Sequence, residues 1–365
     1  MKQLTKLIED GLNKKNFSAL SVEVIHKGQI VLSTCNGLES LPSKDMPTPK
    51  KISQKHLFDL ASLTKSLCTS FLCSILIEKG LIEKNTNVCD LYSDYAISIN
   101  PSLKDITVAN LLTHSSGLEA WFPIYKTAHS RSDAYLFVRS RTVNYKTGEK
   151  NIYSDLGYMM LGELVEILFE KRLDYLFEHY VTQPLELRDL DFMPKGQEDS
   201  RKDLDFVSTG YSNIRNRELI GEVNDENAFV FDGIAGHAGL FGTVNDTSRL
   251  ALHILNIIKG REENDNVSQK TLIDMIEIQN NSDWTFGWHY PSTKNSSAGT
   301  LMSKNSIGMT GFTGTSIWMD LDNDVVITLL SNRSISPEAS SFGGEKDSFS
   351  NLRPLIHDAI MGELL

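Results

Sequence analysis

Strand-like alternation occupies both ends of this 365-residue chain, and a long stretch with mostly helical patterns separates them. Near the start, apolar and polar residues alternate over 19–37, and Lys27-Gly28 stands where a tight hairpin would turn. Near the end, residues 315–320 and 325–331 flank a polar turn. We therefore expect both chain ends to share one antiparallel sheet, with the helical stretch inserted between them.

The chain is longer than a single hydrophobic core usually supports, so two subdomains in one working unit are expected. Residues 1–57 and 285–365 are expected to form an α/β subdomain with terminal helices, and residues 58–284 a mainly helical subdomain. The class is therefore α+β. Apolar spacing predicts helices at the N-terminus and over residues 62–79, 108–113, 157–170, 246–259 and 351–364.

Charge and hydropathy narrow the kinds of partner. The formal net charge is −11 without a cluster of Lys and Arg, which argues against nucleic acid and membrane surfaces as partners. The first ten residues lack a signal-peptide core, and no run of about 18 apolar residues is present. We expect a cytoplasmic protein, with a periplasmic location as the alternative if a leader was removed. The oligomeric state stays open.

Ser62 and Lys65 stand three residues apart at the start of a strongly apolar segment. A serine hydroxyl needs a base or a cation beside it to act as a nucleophile, and positions three apart share one helix face. Burial would lower the pKa of Lys65, so that Lys65 could accept the serine proton. Taken alone, the motif is short enough to arise by chance as an ordinary exposed helix start.

The segment Tyr153-Ser154-Asp155 precedes a second apolar helix. A tyrosine near an ammonium group can have a depressed pKa and serve as a general base. The structural alternative is that Tyr153 packs at the start of the helix while Asp155 caps it.

Two glycine-rich segments follow. Residues 308–315 lead into a C-terminal strand, where glycines let a backbone approach a ligand and an edge-strand N–H can stabilise an oxyanion. Residues 233–241 surround His237, for which lining a site and structural hydrogen bonding are equally supported. Residues 111–118 are interpreted as a helix end with a glycine cap, architectural rather than catalytic.

The segment from Phe58 to Lys65 resembles the nucleophile segment of class C β-lactamases, penicillin-binding proteins and related esterases. The three motifs stand in the same order as in that family, and the resemblance covers nearly the whole chain. It implies a β-lactamase/transpeptidase-like fold, an antiparallel sheet flanked by helices plus an inserted helical subdomain. It also implies Tyr153 as proton shuttle and the N–H groups of Ser62 and Phe312 as the oxyanion hole. The expected substrate-binding or site-lining residues are Asp155, His237, Met309, Thr310 and Gly311.

Two residues depart from the family pattern. Asp155 stands where Asn is usual, which adds a negative charge to the cleft. Met309 stands where Lys or His is usual, and a thioether cannot anchor a substrate carboxylate. The second departure weakens the case for β-lactam or D-Ala recognition and leaves ester hydrolysis untouched.

We therefore predict a serine hydrolase that acts through an acyl-enzyme on small ester or amide substrates, without a cofactor or a metal. The nine histidines are scattered and form no ligand cluster. One alternative is a penicillin-binding D,D-peptidase or weak β-lactamase. Another is a catalytically silent binding or sensor module, for which Met309 and Asp155 are the only reasons in the sequence.

Overall fold

The computed structural model describes residues 2–43, 46–196, 203–277, 282–292, 294–336 and 348–365. The α-helices there are α1 (Lys2–Asn13), α2 (Phe71–Glu78), α3 (Val88–Asp94), α4 (Val108–Leu112), α5 (Arg131–Arg139), α6 (Asp155–Phe169), α7 (Leu173–Phe177), α8 (Glu226–Val230), α9 (Val244–Ile258), α10 (Gln269–Ile276) and α11 (Ser348–Leu364). The strands are β1 (Ala19–His26), β2 (Gln29–Gly37), β3 (Phe58–Asp59), β4 (Leu190–Phe192), β5 (Tyr211–Ser212), β6 (Arg217–Glu218), β7 (Leu240–Gly242), β8 (Ser306–Thr310), β9 (Ser316–Asp320) and β10 (Val325–Ser331).

The main sheet has five antiparallel strands in the order β2-β1-β10-β9-β8. The first strand of the chain lies beside the last, with Leu20 opposite Ser331 and His26 opposite Val325. The prediction that both chain ends share one sheet is therefore confirmed. The division into subdomains at residues 57 and 285 stays a prediction.

The predicted turns occur where the sequence places them. Lys27 and Gly28 join β1 to β2 with φ values of 51° and 76°, the left-handed geometry that matches the twist of a tight hairpin. Residues 321–324 join β9 to β10.

Side-chain alternation decides what covers each face of the sheet. Leu20, Val22 and Val24 of β1 belong to a hydrophobic cluster that also holds residues of α1 and α11. Glu23, between them, points to the opposite face, where Asn245 of α9 donates to its carboxylate at 3.3 Å. The sheet is thus enclosed by the terminal helices on one face and by α9 on the other.

The inserted region contains the larger hydrophobic core, built around α2 and α6, and a small sheet in the order β3-β7-β4. β3 ends at Asp59, so the small sheet anchors the turn that leads to Ser62. Among the described helices, none is long and apolar enough to cross a membrane.

Four predicted helix starts need correction. Ser62 lies in a turn before its helix, which begins at Leu63, passes through a π-helical turn over Lys65–Ser70 and continues as α2. The wider turn accommodates the buried hydroxyls of Ser66 and Thr69, which donate to the carbonyls of Gly287 and Gly236. Helices α6, α9 and α11 begin at Asp155, Val244 and Ser348, two to three residues before the predicted starts at 157, 246 and 351.

Candidate active site

The turn before Ser62 is held in an uncommon backbone conformation. Ala61 has a φ of 47°, which costs an ordinary L-residue about 1 kcal/mol. The Asp59 carboxylate offsets this cost by accepting the Ala61 N–H at 2.8 Å, while its second oxygen accepts the Asn224 N–H at 2.6 Å. Burial raises the pKa of Asp59 to about 6, although these two hydrogen bonds act in the opposite direction. Asp59 thus ties the turn to the loop at residue 224.

The Lys65 side chain is fully buried, and its ammonium group joins three parts of the structure. Nζ donates to Ser62 Oγ at 3.0 Å and to the His237 carbonyl at 2.9 Å. It also lies 2.7 Å from Asp155 Oδ1. The sequence motif therefore corresponds to a direct contact between Ser62 and Lys65.

The expected lowering of the Lys65 pKa is wrong. Burial does act in that direction, but the carboxylate of Asp155 and the phenol of Tyr153 outweigh it, so the pKa of Lys65 is raised. The departure at Asp155 is the physical reason, because it places a full negative charge against the ammonium group. Lys65 is therefore a cation at neutral pH.

Tyr153 is also in a different state from the one expected. Its ring lies beside the Lys65 ammonium, with Nζ 4.9 Å from the ring centroid, and both Lys65 and Ser62 act to lower its pKa. Burial raises its pKa, and the nearby Lys65 ammonium does not fully reverse this, so the expectation of a depressed pKa is wrong. The phenol is protonated in the resting site. The capping alternative is wrong as well, because Ser154 caps α6 and accepts the Gly157 N–H at 3.3 Å.

His114 positions the Tyr153 segment, which sequence reasoning missed. Its φ of 57° ends α4, so the residue in the left-handed position that closes the helix is His114 itself. Its buried ring accepts the Ser154 N–H at 3.0 Å and packs on Tyr153 with the ring centroids 4.6 Å apart. Trp284 covers the Tyr153 ring as well, at 5.5 Å. The sequence signal for this role is that a histidine, His114, occupies the left-handed position after α4 where glycine is more usual.

His237 both lines the site and makes a structural hydrogen bond, so the two alternatives given for it are both confirmed. The residue lines the cavity at Ser62, and its Nε2 lies 3.1 Å from Asp225 Oδ1. Burial acts to raise the pKa of Asp225, but the adjacent His237 and the Ala228 N–H more than compensate, so this pKa is lowered. Asp225 is a second residue that the sequence did not single out.

The C-terminal segment packs directly against the nucleophile turn. Thr313 and Thr315 donate through their hydroxyls to the carbonyls of Asp59, at 2.7 Å, and Leu60, at 3.0 Å. Phe312 is 42% exposed, and its carbonyl accepts an Arg333 N–H at 2.9 Å. These contacts hold the segment that follows β8 against the nucleophile turn.

A cavity of about 770 Å³ opens at Ser62. Most of the predicted site residues line it: Ser62, Tyr153, Asp155, His237, Met309, Thr310 and Phe312. Lys65 lies behind this wall, and Gly311 is enclosed between the wall and the turn. The described residues contain no group of three or more side chains placed to hold a metal ion.

Gly311→Ala is expected to lower kcat about 100-fold and the free energy of unfolding by about 1–3 kcal/mol. An added Cβ would lie 2.7 Å from the Leu60 carbonyl oxygen and against the Thr315 hydroxyl, which forces the strand away from the turn. Ester hydrolysis and urea unfolding measure the two effects. Gly362→Ala is the control, since its Cβ would meet only Leu301 at 3.6 Å. Equal activity in the two variants would contradict the prediction.

This chain is similar to a known protein family in sequence and to solved hydrolase structures in fold. A family model described as Beta-lactamase matches residues 4–344. An N-acetylmuramyl-L-alanine amidase of Bacillus subtilis (strain 168) is 30% identical over 382 residues, covering 96% of this chain and 85% of that protein. A class C β-lactamase structure has a TM-score of 0.72 at 16% identity, covering 98% of this chain and 97% of the other. EstCE1, a hydrolase with promiscuous acyltransferase activity, has a TM-score of 0.71 at 15% identity over 98% of each chain.

The structural likenesses confirm the predicted α+β, β-lactamase/transpeptidase-like fold. The family match spans both ends of the main sheet and the inserted helical region, so it covers every element that lines the cavity. The chain therefore belongs to the beta-lactamase family of serine hydrolases.

Proposed function

We propose that this chain hydrolyses small ester or amide substrates through an acyl-enzyme formed on Ser62. The observation that carries the proposal is the hydrogen bond from Lys65 Nζ to Ser62 Oγ, within a network that Tyr153 and Asp155 complete beside an open cavity. A nucleophile, proton-transfer groups and space for a substrate are thus adjacent.

The protonation states of Lys65 and Tyr153 determine the path of the proton during acylation. As Ser62 Oγ attacks the substrate carbonyl carbon, its proton passes to Lys65, which hands one of its own protons to Asp155 at 2.7 Å. Tyr153, protonated at rest, donates to the leaving group and regains a proton from Lys65, and Lys65 then recovers the proton held by Asp155. The N–H groups of Ser62 and Phe312 stabilise the oxyanion. Water then hydrolyses the acyl-enzyme, releasing a carboxylic acid and restoring the Ser62 hydroxyl.

Amides and esters are favoured over β-lactams as substrates. The Bacillus subtilis relative is named for amide hydrolysis. Met309 is buried in the cavity wall, and neither Lys nor Arg is among the described residues that line it. A substrate carboxylate therefore lacks a cationic anchor among these residues, which weighs against the β-lactamase alternative. The D,D-peptidase alternative has support from an Escherichia coli (strain K12) relative, 31% identical over 80% of this chain and named a putative D-alanyl-D-alanine carboxypeptidase. The intact Ser62 network weighs against a catalytically silent module.

Intact-mass spectrometry tests the proposal directly. The protein is incubated with a fluorophosphonate and with panels of esters, β-lactams and D-amino-acid peptides. We expect a mass increase equal to one acyl or phosphonyl group, mapped to Ser62 by peptide digestion and absent from Ser62→Ala. Failure of every reagent to form an adduct would support a binding or sensor module instead.

A further inference from the structure

A histidine stands beside Met309 in the cavity wall. Met309 of β8 lines the cavity at Ser62 with a buried thioether, which is only a weak hydrogen-bond acceptor. On the side of β8 away from β9, the His289 N–H donates to the Gly308 carbonyl at 3.0 Å, and the Gly308 N–H donates to the His289 carbonyl at 2.9 Å. His289 therefore extends the main sheet next to Met309, and it lines the same cavity.

His289 belongs to a tight hairpin over residues 283–290 that is fixed from two directions. At its base, the Tyr290 N–H donates to the Asp283 carbonyl at 2.8 Å. At its tip, the Gly287 carbonyl accepts the Ser66 hydroxyl at 2.5 Å, from the helix that follows the nucleophile. The hairpin is thus bonded both to β8 and to the nucleophile helix, so the position of His289 relative to Ser62 is set by the fold.

Two indole rings fix the orientation of the His289 imidazole. The imidazole centroid lies 5.0 Å from the Trp284 ring and 5.0 Å from the Trp318 ring, the second in an edge-to-face arrangement. Nδ1 lies 3.2 Å from the Tyr290 carbonyl oxygen, which can only accept, so Nδ1 carries the proton and donates it. Nε2 of this tautomer is a hydrogen-bond acceptor.

Nε2 of His289 is available to a ligand. Among the described residues it has no hydrogen-bond partner, and it is not one of their buried unpartnered atoms, so it is accessible from outside the protein. The residue is half-buried and lines the cavity. A ligand in the cavity therefore meets an imidazole whose second nitrogen still needs a donor.

The His289 imidazole is neutral at pH 7. Burial lowers its pKa and the Arg353 guanidinium acts in the same direction, while the Tyr290 carbonyl and the Asp283 carboxylate oppose them without reversing the shift. A neutral acceptor nitrogen forms a hydrogen bond with an N–H or O–H group. It has no proton at Nε2 to give to a carboxylate.

Trp284 relates this acceptor to the chemistry. Its ring centroid lies 5.5 Å from that of Tyr153 and 5.0 Å from that of His289, so it connects the two along the cavity wall. Tyr153 protonates the leaving group in the proposed reaction. A leaving group that reaches the Tyr153 hydroxyl and extends over Trp284 approaches His289.

We propose that His289 is a specificity-determining residue, which accepts a hydrogen bond from an uncharged N–H or O–H group on the leaving-group part of the substrate. The substrate class is then an ester or amide whose leaving group carries a carboxamide or a hydroxyl group rather than a carboxylate. The inference rests on the proposed function. It supplies a polar recognition group at the wall where Met309 supplies none.

Three acetate esters test the proposal: 4-acetoxybenzamide, 4-acetoxyacetophenone and 4-acetoxybenzoate. The first two have nearly the same shape and differ by an NH₂ in place of a CH₃, and the third carries a charge. Each kcat/KM is divided by the rate constant for hydroxide hydrolysis of the same ester, which removes differences in intrinsic reactivity. We expect the corrected value for the carboxamide to exceed that for the ketone about five- to tenfold, the effect of one neutral hydrogen bond. The carboxylate should be the poorest substrate. Equal values for carboxamide and ketone, or a preference for the carboxylate, would overturn the proposal.

His289→Phe isolates the proposed contact, because it keeps an aromatic ring between the two indoles and removes both nitrogens. The carboxamide-to-ketone ratio should fall about five- to tenfold in this variant and return in part in His289→Gln, which restores a neutral acceptor. His129→Phe is the control, since His129 is exposed and does not line the cavity. The ratio is read within one protein, so a general loss of activity does not imitate the effect. An unchanged ratio in His289→Phe would overturn the proposal, and the comparison of the three esters in the unmodified protein decides it even if that variant fails to fold.

Turnover of p-nitrophenyl acetate separates the two levels of inference. Ser62-dependent hydrolysis of this ester, with no preference for the carboxamide, would overturn the role of His289 and leave the proposed function standing. The absence of any Ser62 adduct or turnover would overturn both.

Discussion

Ser62→Ala is expected to lower kcat for p-nitrophenyl acetate and butyrate by at least about 10³-fold. Without Oγ, no acyl-enzyme forms, and Lys65 and Tyr153 lose the group whose proton they move. Background hydrolysis by water in the oxyanion site is the only remaining route. Initial rates from nitrophenolate release measure the loss, and fluorophosphonate labelling should disappear in parallel.

A serine outside the cavity provides the control for Ser62. Ser140 is exposed after the end of α5, and its hydroxyl donates locally to the Phe137 carbonyl. Ser140→Ala should retain full turnover and labelling. If Ser62→Ala kept ester hydrolysis within about twofold of the unmodified protein, another nucleophile would have to be sought and the proposed function would fall.

Lys65→Met should reduce both activity and stability. It leaves Asp155, whose side chain is only 17% exposed, without its cation. Breaking a buried ion pair costs about 3 kcal/mol, the low end of the usual range here because water partly reaches Asp155. Turnover should fall at least about 100-fold, since proton transfer from Ser62 loses its first acceptor. Urea unfolding and ester hydrolysis measure the two losses.

The double variant Lys65→Met, Asp155→Asn separates stability from catalysis. With both charges gone, the free energy of unfolding should return to within about 1 kcal/mol of the unmodified protein, while turnover stays low. Recovered stability with absent activity would assign Lys65 to the chemistry. Recovery of turnover together with stability would show instead that Lys65 acts only by holding the site together.

Much of the fold could be predicted because its signals are local. The β1–β2 hairpin follows from alternation around Lys27-Gly28, and the β9–β10 hairpin follows from a polar turn between apolar strands. The pairing of β1 with β10 could be expected because strand patterns stand at both chain ends. The contact between Ser62 and Lys65 could be expected from their spacing of three residues.

The charge states of the site could not be predicted because they depend on distances between segments far apart in sequence. Asp155 controls the pKa of Lys65 from 90 positions away, and nothing local to Lys65 indicates the 2.7 Å contact. The sequence pattern places His114 at a helix end and gives no sign that its ring contacts Ser154 and Tyr153. The π-helical turn at Lys65 leaves no mark on apolar spacing, because all its residues are buried.

The pairing of β1 with β10 has a consequence for how the protein is made. Leu20 leaves the ribosome more than 300 residues before Ser331, its partner in the sheet. At about 5–20 residues per second, the first hairpin waits roughly 15–60 s with one strand edge unpaired. The wall at Met309 and Phe312 is equally late, so a nascent chain has no complete cavity until synthesis is nearly finished. Binding of a chaperone to the β1 edge during that interval would protect the chain from aggregation.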